Sequence, residues 1–187
     1  LQSPGAENSS NESPPDPTGL PLQVGQYLVL DRIGRSDLGA TFRCRRRTAR
    51  DVVAVKLLDS KWTDDELVRS RLSQEVEAWA SLKDPRIVAQ RLECESGAVA
   101  LASKWIDYQS LAEWFRGGHC LPPDGVSVLL RELIGVLASA DAQGLVHGDL
   151  RPASVLLDGR GRIFLVDCGV RRAIAGAGLI ASRELSP

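Results

Sequence analysis

The sequence contains no methionine, only two histidines and four cysteines, and its aromatic residues make up 5% of 187 positions. Cys44, Cys94, Cys120 and Cys168 lie 50, 26 and 48 residues apart, with no C-x-x-C pair, and His119 has only Cys120 beside it. Zinc sites need convergent soft ligands at short spacings, and this pattern excludes them. The cysteines sit among apolar neighbours, where free thiols pack as small hydrophobes, so a reducing, cytoplasmic setting is expected rather than a disulfide framework. No run of about 18 apolar residues occurs, so no membrane segment is expected in this chain. A charged-then-apolar leader of the secretory kind is also missing. A formal net charge of −1 lacks the basic footprint of a nucleic-acid binder. The chain starts Leu1-Gln2-Ser3 and reads as excised from something longer.

What is present is a globular composition, 43% apolar and 25% charged, ample for one domain with a core. Residues 1–24 stand apart. They hold five prolines, four serines, three acidic residues, no basic residue and five apolar side chains. Such a stretch cannot bury enough surface to offset its ordering entropy, and a disordered acidic linker is expected. Its formal glycosylation sequons, Asn8-Ser9-Ser10 and Asn11-Glu12-Ser13, read as chance matches. Without the linker the net charge is 23 − 21 = +2.

From Val24 onward, alternation and breakers predict strands over 26–33, 40–46, 51–58, 87–93 and 99–104. A helix follows the third strand, with Thr63 and Glu66 placed as a capping box and Leu72, Val76, Trp79 and Ala80 on one face; Asp84-Pro85 ends it. A short helix is expected over 110–116. Pro122-Pro123 opens a longer one closed near Gly144, with Val126, Leu129, Leu130, Leu133, Ile134 and Leu137 on its buried side. Segments 155–157 and 163–166 flank Asp158-Gly159-Arg160-Gly161 as a hairpin. An early sheet with one helix, then helices and a hairpin, make an α+β protein of two lobes.

Three motifs fall on these elements in order. Ile33-Gly34-Arg35-Ser36-Asp37-Leu38-Gly39 occupies the first turn, Val53-Ala54-Val55-Lys56 the third strand, and His147-Gly148-Asp149-Leu150-Arg151-Pro152-Ala153-Ser154 precedes the hairpin, with Asp167-Cys168-Gly169 after it. Alone, Lys56 reads as an edge lysine and Asp149 and Asp167 as turn residues. The ordered set, over about residues 26–170, resembles the bacterial Hanks-type (eukaryotic-like) Ser/Thr protein kinases.

The resemblance implies a bilobal kinase-like fold, with a five-stranded upper lobe over 25–104 and a partial, mostly helical lower lobe over 105–187. It implies ATP and Mg2+ as cofactors if binding is retained, and otherwise none. Gly34 and Gly39 would let the loop approach the phosphates, Lys56 would hold them, and a helix carboxylate, Glu75 or failing that Glu77, would hold Lys56. Asp149 would orient the acceptor hydroxyl beside Arg151, and Asp167, with Ser154 in the second station, would meet the metal. Departures stand beside these. Ser36 replaces a glycine and Thr41 an adenine-packing valine. Gly148 replaces an arginine, Arg151 a lysine, Ser154 a metal-binding asparagine and Cys168 a core phenylalanine. Only 18 residues follow Gly169, too few for a substrate platform, and Ala181–Pro187 faintly resembles the end of an activation segment.

Three functions fit: a pseudokinase with weak or absent phosphotransfer that serves as a regulatory module, an active Ser/Thr kinase, and a small-molecule phosphotransferase of the H-G-D-L type. Loss of the asparagine at Ser154 favours the first. An acidic Pro/Ser-rich linker before a degenerate kinase domain also resembles the cytoplasmic module of actinobacterial MviN-type lipid II flippases. That implies a role in peptidoglycan regulation, with a forkhead-associated protein or an upstream Ser/Thr kinase as partner. Arg43, Arg45, Arg46, Arg47 and Arg50 read as a solvated hairpin rim, or else as a dock for an acidic partner. Trp79 reads as core and Trp105 as part of the link between lobes, while Trp62 and Trp114 carry no assignment.

Overall fold

The structure is a computed structural model that describes residues 23–49, 51–95 and 97–178. The expectations for residues 1–22, Arg50 and Ala181–Pro187 lie outside the described residues.

The upper lobe is one antiparallel sheet of six strands in the order β1-β2-β3-β4-β6-β5: β1 Gln23–Val24, β2 Tyr27–Ser36, β3 Gly39–Arg46, β4 Val52–Leu58, β5 Gln90–Glu95 and β6 Ala98–Lys104. Period-two alternation turns Phe42, Cys44, Val53 and Val55 to one buried face, where they meet Tyr27 and Ala102. Leu58, Val99 and Leu101 face the other way, onto helix α2 (Glu66–Ser81). That helix answers with Val68, Leu72 and Val76, four residues apart and so on one face. Burial also pushes the Cys44 thiol up to about 12, which keeps it an inert hydrophobe, as expected.

Two local readings are corrected. Thr63 is not the cap of α2. It closes a separate single turn, α1 (Ser60–Thr63), and the Asp65 side chain accepts the first amide, from Leu67 at 2.7 Å. The fifth strand starts at Gln90 rather than Ile87, because Ile87 instead bridges Leu165 in the lower lobe. Arg86 tightens that junction, with Asp84 on one side and Glu132 at 3.1 Å on the other.

The lower lobe holds a three-stranded antiparallel sheet, β7 (Tyr108–Ser110), β8 (Val155–Asp158) and β9 (Ile163–Leu165), with helices α3 (Leu111–Arg116) and α4 (Pro123–Asp141). Ser110 and Glu113 cap α3 reciprocally, and Asp158 holds the hairpin turn by accepting from the amides of Arg160 and Arg162 at 2.9 Å each. In α4 the apolar stripe is wider than its contact. Val136 and Ala140 are fully buried and Leu129, Leu133 and Leu137 pack beside them, whereas Val126, Leu130 and Ile134 are exposed, Ile134 by 65%. Among the described residues no helix is long and apolar enough to cross a membrane.

β1, which falls at the end of the expected 1–24 linker and makes the five-stranded sheet six-stranded, had no sequence forecast, nor had α1 or β7. Neither had a last helix, and it matters most. Directly after Gly169 the chain forms helix α5 (Val170–Gly176), and Val170, Ala173 and Ile174 enter the upper-lobe core beside Leu38, Leu72 and Val76. A segment that follows the lower-lobe hairpin therefore packs on the upper lobe. This decides the site.

Candidate nucleotide cleft

Alternation along β4 buries Val53 and Val55 on one face and turns Ala54 and Lys56 toward a cavity of about 500 Å3 between the lobes. Gly34, Thr41, Trp105 and Leu156 complete its walls. The size suits a small organic ligand.

Lys56 is 7% exposed, and a buried ammonium needs a partner. Its Nζ donates to Asp167, whose second oxygen lies 3.5 Å from the Gln90 side-chain amide. Asp167 holds a left-handed backbone (φ 61), which an aspartate tolerates better than most residues.

Glu75 does not hold Lys56. Its carboxylate lies 3.4 Å from Arg172 instead, and Glu77 accepts from Ser73 at 3.0 Å. The cause is α5, which lies along α2 and delivers Arg172 to Glu75 while Lys56 turns to Asp167. No ion pair between Lys56 and Glu75 exists among the described residues.

Asp149 is enclosed by two guanidinium groups. The Nε atoms of Arg151 and Arg171 both lie 3.2 Å from the same carboxylate oxygen, each as an ion pair without hydrogen-bond alignment. Arg171 also donates to Asp37, at the tip of the β2–β3 turn, and Arg151 lies 3.9 Å from the other Asp37 oxygen. Partial burial works to raise the Asp37 carboxyl, but hydrogen bonding and charge from Arg171, with Arg151 behind, hold it below its ordinary 3.8. Trp62, on α1, donates to the Asp37 carbonyl at 2.8 Å, and Leu38 beside it is 1% exposed against α5. The turn is thus pinned between α1 and α5, with Arg151 the nearest lower-lobe cation.

Ser154 is buried. Its hydroxyl accepts from the Arg151 amide at 3.0 Å and lies 3.1 and 2.9 Å from the carbonyl oxygens of Asp149 and Arg151. It braces its own loop, which leaves it unavailable for the expected metal role.

The two loop glycines differ. A methyl group on Gly39 would lie 2.0 Å from the Leu57 carbonyl oxygen, so glycine there is needed by the sheet. Around Gly34 nothing lies within 4 Å, so no contact within the protein requires glycine there. Gly148, where an arginine was missing, has φ +80, a conformation that L side chains rarely adopt. Cys168 is buried beside Trp79 and Leu165, and burial pushes its thiol far up. Trp105 lines the cleft under Arg43, 5.7 Å from its ring, while Trp114 stacks on His119 with centroids 4.5 Å apart. Of the basic cluster, Arg43 pairs with Asp31 and Arg46 lies over Tyr27, whereas Arg45 and Arg47 are exposed.

The protein kinase domain model matches residues 27–185. The chain belongs to the protein kinase family. Ser/Thr protein kinase PknL of Mycobacterium tuberculosis is 30% identical over 168 residues, covering 89% of this chain and 42% of PknL. PknD of the same organism is 28% identical over 158 residues, covering 84% of this chain and 24% of PknD. Ser/Thr protein kinase PkaA of Streptomyces coelicolor is 30% identical over 174 residues, covering 85% of this chain and 32% of PkaA. The crystal structure of the M. tuberculosis PknI kinase domain superposes with a TM-score of 0.67 at 25% identity, covering 81% of this chain and 62% of that domain. The kinase chain described here thus spans less than half the length of the curated relatives it matches.

A kinase uses ATP with divalent metal, and the two fit this cleft unequally. The cavity has room for a nucleotide, with Lys56 and the open face of Gly34 on its walls. A divalent metal does not fit this arrangement. Asp167 is paired with Lys56, Asp149 with two arginines, and Ser154 with its own backbone. Among the described residues no three His, Cys, Asp or Glu side chains converge. The stations are therefore assembled as expected in sequence order, while Glu75 and Ser154 take other partners. Asp37, Trp62, Gln90, Arg171 and Arg172 were not foreseen. The adjacent arginines after Asp-x-Gly were the available signal.

His147 is a structural histidine of this kinase cleft. Its Nδ1 accepts from the Asp149 amide at 3.3 Å, and its ring meets Trp79 edge-on at 6.2 Å. Burial pushes the imidazole below its ordinary 6.5, against the pull of Asp167 and Asp149. The unfolded chain therefore binds the proton first as pH falls through about 6.5, and folding stability drops in that window. Thermal unfolding followed from pH ~7.5 to ~5 should show the midpoint falling, with a shallower fall in His147→Gln. Equal slopes in the two proteins would remove His147 as the cause.

Proposed function

We propose that this kinase-fold protein is a regulatory module, a pseudokinase with weak or absent phosphotransfer, whose cleft retains nucleotide binding. The observation that carries the reading is the enclosure of Asp149 by Arg151 and Arg171. A carboxylate that is to accept a proton from an acceptor hydroxyl must be within reach of it, and here the Arg151 and Arg171 side chains both stand 3.2 Å from one Asp149 oxygen. The committed hydroxyl of Ser154 supports the same conclusion, because charge neutralisation dominates phosphoryl transfer. Partners are proteins in a bacterial cytoplasmic setting. The resemblance to flippase-associated kinase domains adds an upstream Ser/Thr kinase that modifies this chain and a forkhead-associated protein that reads the mark, in the service of peptidoglycan regulation.

Transfer from γ-labelled ATP to a generic basic protein, with magnesium or manganese, should stay at background in both wild type and Asp149→Asn. Transfer that Asp149→Asn abolishes would instead establish an active Ser/Thr kinase. That second reading draws on the presence of Lys56, Asp149 and Asp167 at one cleft.

A further inference from the structure

Three cations and three carboxylates meet beside the cleft, and of the six Lys56, Arg151 and Asp167 line the cavity. Lys56 faces Asp167, while Arg151 and Arg171 alternate with Asp149 and Asp37. The group is neutral as it stands. Its members differ in how they can be displaced. The Asp37 side chain is 47% exposed, whereas Asp149 is 18% and Arg171 9% exposed. Arg151 lines the cavity, and so do Gly34 and Ser36 of the turn that carries Asp37. Asp37 thus lies at the rim of the ligand space with an anionic group held against two guanidiniums. Guanidinium forks are matched to the oxygens of phosphate as well as of carboxylate.

Entry of a divalent cation and entry of a phosphate make different demands here. A cation needs Asp167 or Asp149 freed from buried or half-buried ion pairs, and each such pair is costly to break. A phosphate needs only the exchange of the exposed Asp37 carboxylate for another anion, with Arg151 and Arg171 left where they are. The exchange keeps the number of charge-assisted contacts and leaves Asp37 in water, where a carboxylate is well solvated.

We propose that Arg151 and Arg171 form an anion site for the phosphates of a nucleoside triphosphate, that Asp37 fills it in the free protein, and that nucleotide binds there without a divalent cation. This rests on the reading of the cleft as a nucleotide site. It assigns Arg171, and gives Asp37 the part of a resident competitor. Release of Asp37 also frees the side chain at the tip of the β2–β3 turn from Arg171 on α5, while Trp62 keeps the turn's backbone anchored.

The test is equilibrium titration of the whole chain with ATP, ADP and adenosine, in EDTA and in excess magnesium. ATP affinity should agree within about threefold between the two conditions, since no contact depends on the metal. Asp37→Ala should tighten ATP about tenfold, and Arg151→Ala should weaken it about tenfold, the size of one charge-assisted contact, with adenosine unchanged in both. Both positions are partly exposed, so these variants keep the fold; Arg171→Lys adds a third comparison that retains the buried charge. ATP that binds only with magnesium, or no tighter than adenosine, or unaffected by Asp37→Ala, overturns this proposal and leaves the nucleotide reading standing. Failure of all three ligands to bind overturns both.

Discussion

Ile174→Ala is expected to lower folding stability by about 2–5 kcal/mol, the range for truncating a fully buried isoleucine. Ile174 is 0% exposed and packs in the upper-lobe core with Leu72, Val76 and Leu38. Removing three of its carbons loses their transfer free energy and leaves a cavity, because both helices are held by neighbours that relax only in part. Ile174→Val should cost about 0.5–1.5 kcal/mol, which separates packing from misfolding. Denaturant unfolding, with the slope unchanged and the midpoint lowered, is the measurement. The result bears on the site as well as the core. Docking of α5 places Arg172 at Glu75 and Arg171 at Asp37 and Asp149. A loss below about 0.5 kcal/mol, typical of surface positions, would mean that α5 is not docked in solution, and the pairing of Lys56 with Asp167 would lose its explanation.

The second large effect concerns that pair. Lys56→Met should destabilise by up to about 3–5 kcal/mol, the cost of leaving one partner of a buried ion pair uncompensated. The figure is an upper bound because the Asp167 side chain keeps 17% of its exposure and Gln90 lies 3.5 Å away. Lys56→Met combined with Asp167→Asn should recover most of the loss, since no unpaired charge is then buried. A double-mutant cycle isolates the coupling. Strong coupling of Lys56 to Asp167 and none to Glu75 is expected; the reverse would mean that Glu75, rather than Asp167, holds Lys56 in solution. Methionine approximates the lysine stem in volume, so the change tests charge more than packing.

Local patterns were legible wherever one residue type suffices for the job. Valine-rich β4 reads as a strand because its alternation survives in both cores, and Asp158-Gly159 reads as a turn because its side chain closes its own loop. Gly34 and Lys56 line one cavity with Asp167, since the first two sit at the end and on the face of strands that the sheet positions. The α4 stripe shows the limit of periodicity. It locates an apolar side of the helix but not which edge of that side is covered, so Val136 was missed while Val126, Leu130 and Ile134 were overcalled. The capping of α2 shifted by two residues for a similar reason: Thr63 and Asp65 are both competent caps, and the choice depends on where the preceding turn ends.

The cysteine spacing, the neutral charge, the two-lobed α+β order and the stations of the kinase cleft belong to the sequence alone, because they depend on residue identity and local period. The choice of partner among nearby charges belongs to the tertiary structure. Lys56 had two carboxylates to choose from, Glu75 and Asp167, and no spacing rule ranks a contact made across more than a hundred residues. A seven-residue helix, too short to be stable by itself, made the choice by packing Val170, Ala173 and Ile174 against α2. It carried Arg171 and Arg172 into the cleft. Motifs expected to form a metal-dependent catalytic centre were thereby drawn into a closed set of ion pairs.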